Sequence, residues 1–194
     1  ITSKTKAIMP VHLYGQCANM DEVMSVAKAH DLYIIEDTAQ ALGADYNGEN
    51  YQGQAGTIGD VGTTSFFPTK NLGGLGDGGA LFTNDDVLAT KIRMIANHGQ
   101  EQKYKHKIVG VNSRLDAVQA AALSVKLPAL DGLIYTKQVK ANLYENAFFA
   151  MDEVKTPFRN AQSTHTFHQY TILVKDKRDE LKAFLADKGV SSMV

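Results

Sequence analysis

Near its start the chain carries a short, mainly apolar run, "KAIMPVHL" (6–13), of the kind that forms a buried strand. In "NMDEVMSVAKAHD" the period changes. Asn19 is placed to cap, Glu22 follows three residues on, and Val23, Val26 and Ala27 share one face. These are the start signal and the stripe of a helix. A second apolar run, "LYIIED" (32–37), ends in two carboxylates. Strand, helix and strand at this spacing make a βαβ unit, which requires a parallel sheet covered by helices.

Residues 38–60 are polar and glycine-rich, so turns and short strands are expected there. "TTSFF" (63–67) and "GALFT" (79–83) read as strands on either side of a glycine-rich loop. Asn84 is placed to cap a helix in "DDVLATKIRMIANHG", which Gly99 stops. A polar, basic connection, "QEQKYKHKIVGVN", leads to Ser113, a candidate cap for "RLDAVQAAALSVKL". Leu115, Val118, Ala122 and Val125 form the stripe of that helix. Pro128 bends or interrupts the run, and helix resumes through Phe149. "TFHQYTILV" (166–174) has the look of a strand, and "DKRDELKAFLADKG" of an amphipathic helix that Gly189 stops. This order predicts a larger α/β domain over residues 1–130, followed by part of a smaller α/β domain over 131–194.

Composition works mainly by exclusion. The 194 residues are 44% hydrophobic and 21% charged, the balance of an ordinary globular protein. A net charge of -1, from 20 basic and 21 acidic residues, gives no electrostatic reason to expect nucleic acid or an anionic membrane. No apolar run approaches the roughly 20 residues that span a bilayer, so no membrane partner is expected. Cys17 is the single cysteine, which excludes an intrachain disulfide and a cysteine metal cluster; no metal site is expected. The default address is cytoplasmic. Both ends look cut: there is no initiator Met, and the chain closes just after a helix stop.

The chemistry centres on "TTSFFPTKNLGGLGDGG", where Lys70 stands just before a run of glycines. Residues 74–79 satisfy G-x-G-x-x-G, but a dinucleotide site needs a helix opening at the motif, and a strand follows here. A P-loop needs glycine immediately before the lysine, and Thr69 stands there. From the loop alone, Lys70 is either a solvated surface lysine or a site residue. Asp37 ends a buried strand, where open α/β sheets bind ligands, although a strand-end carboxylate also caps turns. Gln40 lies three residues on and can face the same crevice. Ser65, near the end of "TTSFF", is placed for a phosphate oxygen or is an ordinary strand serine. A lysine amine, an acid for a ring nitrogen and phosphate donors together suit pyridoxal 5′-phosphate.

With these residues in view, "IIEDTAQALGADYNG", "TTSFFPTKNLGGLGDGGALFTND", "IANHGQ" and "VGVNSRLDAVQAAAL" resemble, in order, the signatures of the DegT/DnrJ/EryC1/StrS aminotransferases. The resemblance covers essentially the whole chain. It implies the aspartate aminotransferase-like fold of type I pyridoxal phosphate enzymes, with a mixed, mostly parallel sheet in the large domain. It implies that Lys70 carries the cofactor as an imine and then acts as the proton-moving base. It matches Asp37 to the acid at the pyridine nitrogen, and Gln40 to the residue at the ring oxygen or ring face. Ser65 matches the phosphate-binding serine, and Asn112 an asparagine that reaches the cofactor phosphate of a neighbouring subunit. A homodimer with a shared site follows from the same resemblance. Tyr104 and His106 lie in the loop that approaches the partner's sugar site in relatives, or else belong to an ordinary solvated basic loop. Arg114 is expected in a salt bridge at a helix start, and His12 in a structural role.

The activity implied is transfer of an amino group, from glutamate, to a keto sugar nucleotide in amino-sugar biosynthesis. "VNSRLD" resembles members that act at a C3 ketone. A sugar dehydratase of the same family is one alternative, against which Lys70 argues, because those relatives carry histidine there. A non-catalytic sensor or remnant of the fold is the other.

Overall fold

The computed structural model describes all 194 residues. Strand β1 (Ala7–Ile8) leads through a 3-10 turn at Leu13–Gly15 to helix α1 (Met20–Ala29) and strand β2 (Tyr33–Asp37). A hairpin of β3 (Asp45–Asn47) and β4 (Gln52–Gln54) precedes β5 (Val61–Ser65) and β6 (Gly79–Phe82). The central sheet has the order β1-β2-β5-β6. Its first two pairings are parallel, with Ala7 opposite Tyr33 and Asp37 opposite Thr63. β6 returns antiparallel, with Ser65 opposite Gly79. The sheet is therefore mixed and mostly parallel, as expected.

β1 is shorter than the apolar run that contains it. Pro10 has no N–H to give a ladder, although its carbonyl still accepts from Asp37 N–H at 2.9 Å. The Asn19 side chain caps α1, accepting from Glu22 N–H at 3.4 Å. α1 and the sheet enclose the main core, with Met20, Ala27, Ile34, Ala41 and Tyr46 at its centre.

Helix α2 (Asp86–Ala96) is capped by Asp85 rather than Asn84. The Asp85 carboxylate accepts from Val87 and Leu88 N–H at 2.8 and 3.0 Å, and its charge suits a helix N-terminus. The basic connection holds a hairpin, β7 (Gln100–Gln102) with β8 (Lys105–His106), that polarity alone did not reveal. Helix α3 (Ala117–Lys126) starts after Asp116, not at Ser113. The reason is tertiary: Asn112 pairs with Asn97, and Ser113 N–H donates to Ala96 O at 2.9 Å, which keeps this segment extended beside the end of α2.

Pro128 sits in a 3-10 turn, Leu127–Ala129, and the helical path continues into α4 (Leu130–Phe148). Pro at the first turn costs no hydrogen bond that the chain needed. The continuous stretch 117–148 is long and apolar enough, by length and composition, to cross a membrane, contrary to expectation. One face, however, packs on protein: Leu123, Leu130 and Ile134 form a second core with Leu72. The expected stripe lies elsewhere, with Val118 and Val125 exposed. α3 is apolar on more than one side, so periodicity alone could not choose the packed face.

The run 166–174 is not one strand. Only β10 (Leu173–Val174) pairs, with β9 (Val154–Lys155), before helix α5 (Arg178–Asp187). Phe167 has φ +46° and its N–H donates to His165 Nδ1 at 3.0 Å, so the chain turns there. The His165 and Phe167 rings stack with centroids 3.9 Å apart.

Candidate active site

The parallel pairing of β2 with β5 brings the ends of both strands to one edge of the sheet. Asp37 closes β2 and Ser65 closes β5, two residues beyond the Thr63 that faces Asp37. Crevices at the carboxyl ends of such strands are where open α/β sheets take ligands. Asp37 Oδ1 accepts from Ala39 N–H at 2.9 Å, so the turn-capping reading is correct for that oxygen, and Oδ2 makes no hydrogen bond within the chain. Ser65 Oγ likewise accepts from Phe67 N–H at 3.2 Å. Gln40 Oε1 accepts from Tyr14 N–H at 2.7 Å, which holds the amide beside the turn after β1.

Asp37 is fixed from behind by its neighbour. Successive strand residues face opposite sides, so Glu36 points into the fold. Its Oε2 accepts from His12 Nε2–H and from Gly56 N–H, both at 2.9 Å. Its Oε1 accepts from Ile58 and Gly59 N–H at 2.7 and 2.6 Å. His12 Nδ1 accepts from Ala18 N–H at 3.0 Å, which leaves the proton on Nε2 for Glu36. Burial alone would raise the Glu36 pKa. The His12 bond and the three backbone donors outweigh it and hold the carboxyl below its ordinary value. His12 is thus structural, as expected.

Lys70 follows in the loop after β5, half-buried, its N–H bonded to Phe67 O at 2.9 Å. The glycines after it have a steric purpose at Gly73, where a Cβ would strike the Pro68 carbonyl. Two further residues stand near the Lys70 turn that the sequence did not single out. His168 is half-buried and its Nδ1, shielded from solvent, has no hydrogen-bond partner. Burial first, and then the charges of Lys70 and Lys137, lower its pKa. Lys137 Nζ donates to Asn71 Oδ1 at 2.6 Å. No motif marks these residues: His168 sits in a strand-like run and Lys137 in the polar positions of a helix.

Asn112, Tyr104 and His106 are not brought to this edge by any contact. Tyr104 is in the β7–β8 turn, 80% exposed, and His106 Nδ1 donates to His98 O at 2.8 Å. Asn112 is exposed and its Oδ1 accepts from Arg114 Nε–H at 3.0 Å. The expected Arg114 salt bridge is absent, because the guanidinium turns back to that amide. Cys17 is buried, and burial pushes its thiol up to about 11, so it is no nucleophile.

The fold is α/β, with a carboxylate, an amide and a hydroxyl at or just beyond the carboxyl ends of two parallel strands and a lysine in the loop that follows the second. The chain belongs to the DegT/DnrJ/EryC1/StrS aminotransferase family, whose profile matches residues 1–194. It is 51% identical over 196 residues to a "Pleiotropic regulatory protein" of Geobacillus stearothermophilus, covering 100% of the chain and 51% of that protein. It is 45% identical to a Pseudomonas aeruginosa protein named UDP-2-acetamido-2-deoxy-3-oxo-D-glucuronate aminotransferase, covering 100% of the chain and 52% of the relative. Among solved structures it resembles S. venezuelae DesV in complex with a ketimine intermediate. The TM-score there is 0.92 at 40% identity, over 98% of the chain and 50% of DesV. The chain spans about half the length of the curated relatives it matches.

Proposed function

We propose that the protein is a pyridoxal phosphate-dependent aminotransferase that moves an amino group from glutamate to the C3 ketone of a keto sugar nucleotide, in amino-sugar biosynthesis. The observation that carries this reading is Lys70 in a turn at the same strand edge as Asp37 and Ser65. The donor set fits the cofactor: an acid with one oxygen unbonded, a hydroxyl at a strand end, and an imidazole whose buried Nδ1 has no partner. When bound, pyridoxal phosphate supplies an electrophilic carbonyl and a ring that accepts electrons.

Each residue then has a role. Lys70 Nζ holds the group and is the base that moves the proton. The Asp37 carboxylate keeps the ring nitrogen protonated, and Gln40 orients the ring from the side. Ser65 Oγ binds the phosphate. Asn112 serves the phosphate of a second subunit, and Tyr104 and His106 approach its sugar site. A homodimer is supported by the exposed apolar residues Val109, Val111, Val118 and Val125, which a second subunit would cover. The division into domains at residues 130 and 131 and a cytoplasmic location belong to the same reading. The 3-oxo sugar in the name of the Pseudomonas relative supports the C3 position.

A regulatory role is a second reading, favoured by the name of the Geobacillus relative. Visible absorbance separates the two. The complete protein should be yellow with pyridoxal phosphate and should bleach on addition of glutamate, and Lys70→Ala should do neither. A complete protein that takes up no cofactor, or Lys70→Ala with normal turnover, refutes the aminotransferase.

A further inference from the structure

The turn that carries Lys70 is held by more than its own backbone. Three polar side chains reach it from the α3–α4 helical stretch. Gln119 Oε1 accepts from Leu75 N–H at 2.7 Å, Lys126 Nζ donates to Gly73 O at 2.6 Å, and Lys137 Nζ donates to Asn71 Oδ1 at 2.6 Å. The last of these lands on the residue next to Lys70.

Asn71 passes the connection on. Its Nδ2 donates to Thr166 Oγ1 at 2.9 Å, and Thr166 Oγ1 donates to Gly15 O at 3.3 Å. Gly15 adjoins Tyr14, whose N–H is bonded to Gln40. Lys137 is therefore the end of a hydrogen-bond chain through the Lys70 turn, the 165–168 segment and the turn before α1. It is half-buried, and burial lowers its pKa, yet no carboxylate pairs with it. A partly desolvated ammonium is costly unless its hydrogen bonds are made. Here that bond goes to a side-chain amide beside the lysine that holds the cofactor. His168 lies near enough to Lys70 and Lys137 for both charges to act on it.

We propose that Lys137 is a positioning residue for Lys70: its ammonium fixes Asn71, and through Asn71 the turn that aims the Lys70 amine into the crevice. The inference rests on the reading that Lys70 holds pyridoxal phosphate.

The test uses the complete protein titrated with pyridoxal phosphate. It reads the dissociation constant and the induced circular dichroism of the visible band, which reports how the ring is held. Lys137→Met should weaken cofactor binding about tenfold, the scale of one charge-assisted hydrogen bond, and should change the dichroism. Lys137→Arg keeps a cationic donor and should return both to within about threefold. Asn71→Leu breaks the same Lys137 contact, and its bond to Thr166 as well, so it should lose at least as much, and the double variant should be no worse than Asn71→Leu alone. Lys137→Met with unchanged affinity and dichroism overturns the proposal, as do losses that multiply in the double variant. Should Lys137→Met not fold, Asn71→Ser with Lys137 intact decides the matter: a loss of about tenfold supports the proposal, and wild-type behaviour overturns it. A wild-type protein in which borohydride traps no cofactor on Lys70 fails differently, since it removes the functional reading and this proposal with it.

Discussion

Replacing Glu36 by glutamine turns one oxygen into an NH2 group at a side chain with no exposed surface. Both carboxylate oxygens are fully engaged: Oε1 takes Ile58 and Gly59 N–H, and Oε2 takes His12 Nε2–H and Gly56 N–H. Whichever way the new amide is turned, its NH2 meets two donors. If it replaces Oε2, His12 cannot escape by moving its proton to Nδ1, because Nδ1 faces Ala18 N–H. Two buried donors are orphaned at about 1–3 kcal/mol each, which gives a loss of about 4 kcal/mol. That is a large share of the stability of a typical domain. Urea unfolding of the complete protein, with and without the substitution, measures it.

The pH dependence makes the test sharper. The folded Glu36 pKa lies below its ordinary value, so its contribution is present in full above the ordinary 4.5 and is lost as pH falls through the folded value. The gap between wild type and Glu36→Gln should therefore be widest near neutrality and should narrow in acid. A variant within about 1 kcal/mol of wild type at pH 7 would refute the claim that this carboxylate braces Asp37, since that cost is below even one orphaned pair.

Gly15 has φ +114°, and a Cβ there would stand 2.6 Å from Thr166 Oγ1, so Gly15→Ala should cost about 2 kcal/mol in urea unfolding. Burial, aided by Arg159, lowers the His165 pKa to about 4 from an ordinary 6.5. The unfolded chain then takes up this proton first, so stability is present above 6.5 and falls toward about 4; His165→Asn should flatten that slope in urea midpoints. Cys17, raised to about 11 by burial, should react with a thiol reagent at pH 8 only as fast as the protein opens. Fast labelling of the native protein would contradict its packed place.

What could be read from the sequence divides along the range of the interactions. β2 was legible because an apolar run bounded by turn residues carries its own signal, whereas β5 (Val61–Ser65) shares only Thr63–Ser65 with the expected strand at 63–67; the parallel pairing of the two put Asp37 and Ser65 at one edge. The cap of α1 was legible because Asn19 bonds within its own turn. Asn84 and Asp85 were not separable by pattern, since both residue types cap and only the backbone conformation chooses. Ser113 was a plausible cap that lost to a pairing with the end of α2. The break in 166–174 depends on Phe167 turning to stack on His165, and no local residue signals a positive φ there. The least legible feature is the bracing of Lys70. Asn71 and Lys137 are 66 residues apart, and a lysine on a helix looks the same whether it meets water or an amide. Resemblance to a family could name the lysine because its neighbours in sequence are distinctive. The groups that hold it still come from α4, from the 165–168 segment and from Gly15, and only the folded chain brings them together. A site of this kind loses function by two routes. On the proposed reading, substitution at Asp37, Ser65 or Lys70 removes chemistry and leaves the fold, whereas substitution at Glu36 or Lys137 keeps every reacting group and shifts its position.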